Sequence, residues 1–281
     1  MFMREINTKE IENVVYKLAL SCCTRLSPEC EIALKKASEN EKVNLAKFAL
    51  DTLLENNDIA KKESLPVCQD TGLACVLLEI GQNVVLTGDF LEDAVNSGVK
   101  RAYEDGFFRK SVADPITRQN TLDNTPAMLH TEIVKGDKVK ITFMPKGFGS
   151  ENMSAVFMLT PADGVEGVID AVVNQVKKAG AKPCPPVYIG VGIGGTFDKC
   201  AYLAKKALTR PVGEFNKRQD VADIEKTILE KVNSLNIGAM GFKGNNTALG
   251  VACEVYPTHI AGLPVAVNIQ CHCVRCESEV I

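Results

Sequence analysis

Residues 182–195 read KPCPPVYIGVGIGG, and this stretch decides the fold class. Pro183, Pro185 and Pro186 fix the backbone around Cys184 and offer no main-chain donors there. The run VYIGVGI that follows is short and apolar, the mark of a buried strand, and residues 197–208 then carry apolar side chains at helical spacing. A strand fed by a rigid break and followed at once by a helix is the unit of an α/β fold.

The flanking sequence continues that pattern. Upstream, residues 165–179 read as a helix; downstream, a helix over 219–235 precedes strands near 249–255 and 264–269, which deliver the chain to Cys271. The start of the chain is helical: Ile11, Val14, Val15 and Leu18 recur at helix spacing, and Ser27-Pro28 offers an N-cap with proline at the first helical position. Leu45, Phe48, Ala49, Thr52 and Leu53 continue in a third helix. LACVLLEI and NVVLTG then read as strands, with a helix from about Phe90 to Tyr103. AMLHTEIV, the turn KGDK and VKITFMP read as a hairpin. The polar stretch from Gly106 to Thr125 has no periodicity and reads as an ordered loop, a length that in compact domains often serves function. No repeat or linker divides the chain. The expectation is one mixed α/β domain over residues 1–281, with a helical part to about residue 62 and an α/β part from about 63.

Composition excludes several classes of function. The chain has 281 residues, 46% of them hydrophobic, with 32 basic and 35 acidic residues in no long single-sign runs. Neither nucleic acid nor a membrane surface finds a footprint there. No apolar run reaches the roughly 18 to 20 residues of a membrane span, and the first residues do not read as a signal peptide, so a cytoplasmic protein is expected. Eleven cysteines in such a chain favour metal or thiol chemistry over a disulfide framework.

GVGIGG at 190–195 matches the dinucleotide fingerprint literally, after a strand and before a helix. That fingerprint also wants an acidic residue at the end of a second strand about twenty positions on. ALTRPVGEFNK supplies no strand, which favours a plain tight turn. The tail pair Cys273 and Cys276 is half of a zinc-type spacing and has no second pair. Cys22, Cys23, Cys75, Cys200 and Cys253 sit inside apolar patterns as small buried thiols do. Cys68, Cys184 and Cys271 differ in lying where the chain breaks, beside polar residues such as Gln69, Asp70, His259, Gln270 and His272. Composition leaves their role open.

PVCQDTG (66–72), DNTPAMLHTEIV (123–134), KGFGSEN (146–152), KPCPPVYIGVGIGGT (182–196) and GLPVAVNIQCHC (262–273) together resemble the α subunit of class I iron-sulfur hydro-lyases. That family includes class I fumarate hydratases and L(+)-tartrate dehydratases. The resemblance implies the fold of the N-terminal domain of class I fumarases and a [4Fe-4S] cluster on Cys68, Cys184 and Cys271. Three thiolates on four irons would leave one iron open as a Lewis acid. The implied reaction is reversible dehydration of a 2-hydroxydicarboxylate, malate to fumarate first, with L(+)-tartrate as the alternative. By the same resemblance Gln69, Asp70, Arg109 and Gly149, with Ser150 beside it, contact substrate, and Asp70 and His259 position it or relay a proton. Single-chain members carry a second domain after this one. The resemblance is to the two-subunit arrangement, in which a separate β chain completes the site in an α2β2 assembly. Cys273 and Cys276, a departure from the family pattern, are expected to be dispensable for the cluster, on a polar terminus free to fray. The rival of a different class is a non-catalytic zinc or redox module on CHCVRC, with GVGIGG binding a nucleotide.

Overall fold

The computed structural model describes residues 3–281. In chain order its elements begin with β1 (Arg4–Asn7), α1 (Thr8–Thr24), α2 (Pro28–Asn40) and α3 (Asn44–Glu63). Next come β2 (Leu73–Gly81), β3 (Val84–Thr87), α4 (Leu91–Asp105), β4 (Met128–Val134), β5 (Val139–Lys146) and the one-turn α5 (Phe148–Glu151). The remainder is β6 (Ala155–Leu159), α6 (Gly164–Ala179), β7 (Val187–Gly194), α7 (Phe197–Ala207), α8 (Gln219–Ser234), β8 (Ala248–Tyr256), β9 (Leu263–Gln270) and β10 (Glu277–Val280). The α/β class and the helical start are as read from the sequence. Helix α1 forms where Ile11, Val15, Leu18 and Cys22 share a buried face, and the Asn7 side chain caps it by accepting from Lys9 N–H at 2.9 Å. Helix α2 starts at Pro28. In α3 the buried face is Ala46, Ala49 and Leu50, whereas Leu45 and Phe48 of the same apolar pattern are exposed.

The chain gathers into two compact units. The first takes the described residues up to Ser27, Asn57–Phe148 and Arg275–Ile281. Its main sheet has the order β10-β5-β2-β4, with β1 and β3 as a separate parallel pair. Val15, Leu18, Val76, Leu78, Val99 and Phe143 lie in its core.

The expected hairpin of residues 127–145 is corrected here. Strands β4 and β5 do not pair; β2 lies between them, parallel to β4 and antiparallel to β5. The reason is burial. β2 is apolar and buried along nearly its whole length, so it takes the central place, while β4 alternates and takes the edge. The KGDK turn then closes around the end of β2, with Gly81 N–H donating to Lys138 O and Gln82 N–H to Val134 O, both at 2.8 Å.

The second unit comprises Pro28–Asn56 and Gly149–Val274. Its sheet has the order β6-β9-β7-β8, with β7 parallel to β8 and antiparallel to β9. Helices α6 and α8 supply Val172, Val176, Ile228 and Val232 to a core with the β7, β8 and β9 side chains. Cys200 and Ala204 of α7 pack with Ala266.

Strands β1, β6 and β10 were too short, at 4, 5 and 4 residues, to show a period. The last of these overturns the expectation of a frayed tail: Glu277–Val280 pair with Lys140–Phe143 of β5. Among the described residues no helix is long and apolar enough to cross a membrane.

Candidate functional site

In the first unit the turn between α3 and β2 carries Cys68, Gln69 and Asp70. Asp70 organises it. Its Oδ1 accepts from Gly72 N–H at 3.0 Å and its Oδ2 from Phe148 N–H at 2.9 Å, so the carboxylate ties the VCQDTG turn to the start of the KGFGSEN segment. Gly72 has φ 79°, and a Cβ there would lie 2.7 Å from the main-chain nitrogen of Lys146. Buried Arg275 donates through Nη2 to Asp70 O at 3.0 Å, and Tyr103 Oη donates to Thr71 O at 2.6 Å. Within this scaffold Cys68 is half-buried and Gln69 exposed.

The 106–125 loop is fastened to the same turn. Thr71 Oγ1 donates to Arg109 O at 2.8 Å, and Asn124, wholly buried, donates to Gly72 O at 3.2 Å while accepting from Ser111 N–H at 2.7 Å. Phe107, Arg118, Leu122 and Asn124 all have positive φ. Such strained backbone persists only when surrounding contacts hold it, and it clusters at functional sites. The Arg109 guanidinium is exposed and makes no hydrogen bond or ion pair among the described residues, so it remains available to an anion. Sequence reasoning missed Asn124, whose visible signal was the turn-forming run DNTP.

In the second unit the Cys184 and Cys271 turns meet. Cys184, half-buried, has φ 54°, donates its N–H to Ala181 O at 3.1 Å, and accepts from His272 N–H at 3.3 Å. The His272 ring Nδ1 lies 3.1 Å from the same oxygen. Cys271, half-buried at the end of β9, has Gln270 Nε2 3.9 Å from its Sγ. Cys30 Sγ donates to His272 O at 3.1 Å and closes the turn from behind. Gly149 is exposed, and a Cβ there would meet only Lys182 O at 4.0 Å, so packing does not require glycine. Glu151, next to Ser150, is ion-paired with Lys205 and accepts from Asn268 Nδ2 at 2.9 Å, which anchors this segment to α7 and β9. His259 is exposed, and its Nδ1 accepts from Ala261 N–H at 3.1 Å, leaving Nε2 as the nitrogen able to carry a proton. Asp70 lies in the first unit and His259 in the second.

The other cysteines behave as structural thiols. Burial pushes Cys23 up to about 11 and Cys30 to about 12, and lifts Cys22 and Cys253 well above the ordinary thiol range. Cys273 is buried in the second unit and Cys276 half-buried in the first. Among the described residues no three or more His, Cys, Asp or Glu side chains are grouped to hold a metal ion.

GVGIGG is explained by packing. Gly190 and Gly192 lie inside β7, where a Cβ would come within 2.2 Å of Ala204 O and 2.0 Å of Cys200 O on α7. Only Gly194 and Gly195, with φ 88° and 70°, form the turn. The fingerprint's early glycines thus admit a helix against the strand instead of a pyrophosphate, and the nucleotide reading falls.

Residues 12–279 match the family model described as Fumarate hydratase (Fumerase). The chain is 41% identical over 269 residues to the putative L(+)-tartrate dehydratase subunit alpha of Methanocaldococcus jannaschii, covering 93% of this chain and 94% of that one. It is 28% identical over 277 residues to L(+)-tartrate dehydratase subunit alpha of Escherichia coli and of Shigella sonnei, covering 96% of this chain and 91% of each.

Proposed function

Because this chain belongs to the fumarate hydratase (Fumerase) family and is a hydro-lyase, we propose that it is the α subunit of a [4Fe-4S] enzyme that reversibly removes water from a 2-hydroxydicarboxylate, malate to fumarate. The observation that carries this reading is the donor set. Cys68, Cys184, Cys271 and Cys276 are partly exposed, whereas Cys22, Cys23, Cys30, Cys75, Cys200, Cys253 and Cys273 are buried; of the four, Cys276 leads directly into β10, and the other three lie on loops before or after strands. Soft thiolate donors on rigid loops suit an iron-sulfur cluster, and these three residues would hold it. When bound by three thiolates, the cluster supplies a Lewis acid for the substrate hydroxyl.

The chain's own residues then bind and orient substrate. Arg109 takes a carboxylate in a charge-assisted pair. Gln69 donates from the exposed face of the Cys68 turn, and the open main chain at Gly149 lets substrate approach closely. Asp70 positions the turn by accepting from two main-chain donors, Gly72 N–H and Phe148 N–H, beside substrate, and His259 Nε2 holds or moves a proton. The relatives' designation as subunit alpha supports a separate β subunit, which we assign the remaining clamp and the base, in an α2β2 assembly in the cytoplasm.

The relatives' names favour a second reading, L(+)-tartrate as substrate. Both readings are tested by co-expressing the chain with its β partner, purifying without oxygen and assaying malate, fumarate and L(+)-tartrate. Turnover of one of them with iron and sulfide present supports the proposal. A cluster-loaded pair that turns over none of them overturns it.

A further inference from the structure

Gln270, the last residue of β9, is 1% exposed. Its Nε2 donates to Cys273 O at 3.0 Å and lies 3.9 Å from Cys271 Sγ, while its Oε1 is buried with no hydrogen-bond partner among the described residues. One amide nitrogen carries two N–H groups, so both contacts are made together. The flipped amide would set Oε1 against the Cys273 carbonyl oxygen, acceptor against acceptor. The observed orientation is therefore fixed by its neighbours.

The amide leaves Oε1 buried and unsatisfied, and its bond to the Cys273 carbonyl accounts for one N–H only. The second N–H is accounted for by Sγ, because a hydrogen bond to an ionised sulfur is worth more than one to a neutral group. We infer that Gln270 is a positioning residue for the Cys271 sulfur, donating an N–H to the thiolate when it ligates the cluster. This rests on the reading of Cys271 as a ligand given above. Hydrogen bonds to ligand sulfurs raise cluster potential and strengthen the hold on iron.

The test uses the assembled enzyme, purified anaerobically, as parent, Gln270→Met and Gln270→Glu. Three quantities are measured: iron loss to a chelator, cluster reduction potential by EPR-monitored titration, and melting of the apoprotein. The expected result for Gln270→Met is iron loss about 10- to 100-fold faster and a more negative potential, with the apoprotein melt reporting separately the lost bond to the Cys273 carbonyl. Gln270→Glu keeps the side-chain shape but replaces the donor with an acceptor, and should move iron loss and potential the same way. Parental iron loss and potential in both variants overturn the Gln270 assignment alone. A parent that takes up no cluster overturns the ligand reading of Cys271 and this inference with it, and that result is seen before any variant is made.

Discussion

His272 N–H donates to Cys184 O at 3.3 Å, and the ring of the same histidine reaches that oxygen through Nδ1 at 3.1 Å. The turn that carries Cys271 is thereby tied to the turn that carries Cys184 without any bond between sulfurs. His272→Ala removes the ring contact and keeps the main-chain one. Loss of about 1 kcal/mol of stability is expected in denaturant unfolding, with slower iron uptake during anaerobic reconstitution. Unchanged uptake would show that the ring does not organise the pair.

Cys271→Ser should abolish cluster content, while Cys273→Ala and Cys276→Ser should retain it. The reason lies in the positions observed. Cys273 is buried, and Cys276 leads directly into β10. Iron and sulfide analysis of the three anaerobic variants decides; loss in either of the latter two would move the ligand assignment.

Arg109→Ala in the assembled enzyme should raise KM with iron content unchanged, a truncated charged contact costing about 2–5 kcal/mol. The fold should be indifferent, because Thr71 bonds the Arg109 carbonyl oxygen, which alanine retains. Parental kinetics would remove Arg109 from the substrate.

Two glycines separate packing from function. Gly192→Ala places a Cβ 2.0 Å from Cys200 O, and destabilisation of about 1–3 kcal/mol or more is expected. At Gly149 the nearest atom to an added Cβ is 4.0 Å away, so Gly149→Ala should unfold within about 0.5 kcal/mol of the parent and lose substrate affinity. Denaturant titrations beside steady-state kinetics would show the contrast.

Alkali should weaken the fold through its buried thiols. Unfolded, these thiols ionise near 9, whereas folded Cys23 and Cys30 keep their protons to about 11 and about 12. The unfolded chain therefore releases protons first. Stability is full below pH 9 and falls above it, by about 1.4 kcal/mol per pH unit for each thiol until its folded value is reached. Melting curves from pH 8 to 11 test this, and Cys23→Ala should flatten the slope.

What was legible in the sequence was local. The helices at Ile11–Leu18 and after Pro28, the strand VYIGVGI and the break-point cysteines each carried a period or a proline within a few residues. Strand order is not local. KGDK looked like a hairpin turn because nothing nearby announces that Leu73–Gly81 will enter between its arms; the only trace was the unbroken apolar run of that strand. Buried organisers were also invisible. Asn124 and Gln270 look like loop and strand-end amides, and their importance comes from carbonyls and a sulfur brought to them by folding.

Strand β10 also dictates an order of events during synthesis. The first unit's sheet has β10 at one edge, hydrogen-bonded to β5, so the ribosome must release residues 277–280 before that sheet is complete. The larger part of the second unit, Gly149–Val274, is translated in the interval between β5 and β10. Until then β5 is a bare edge with unpaired main-chain groups, open to pairing with another chain. Removing Glu277–Ile281 would make that transient edge permanent, and its expected signature is aggregation of nascent protein, with the loss appearing in yield before it appears in catalysis.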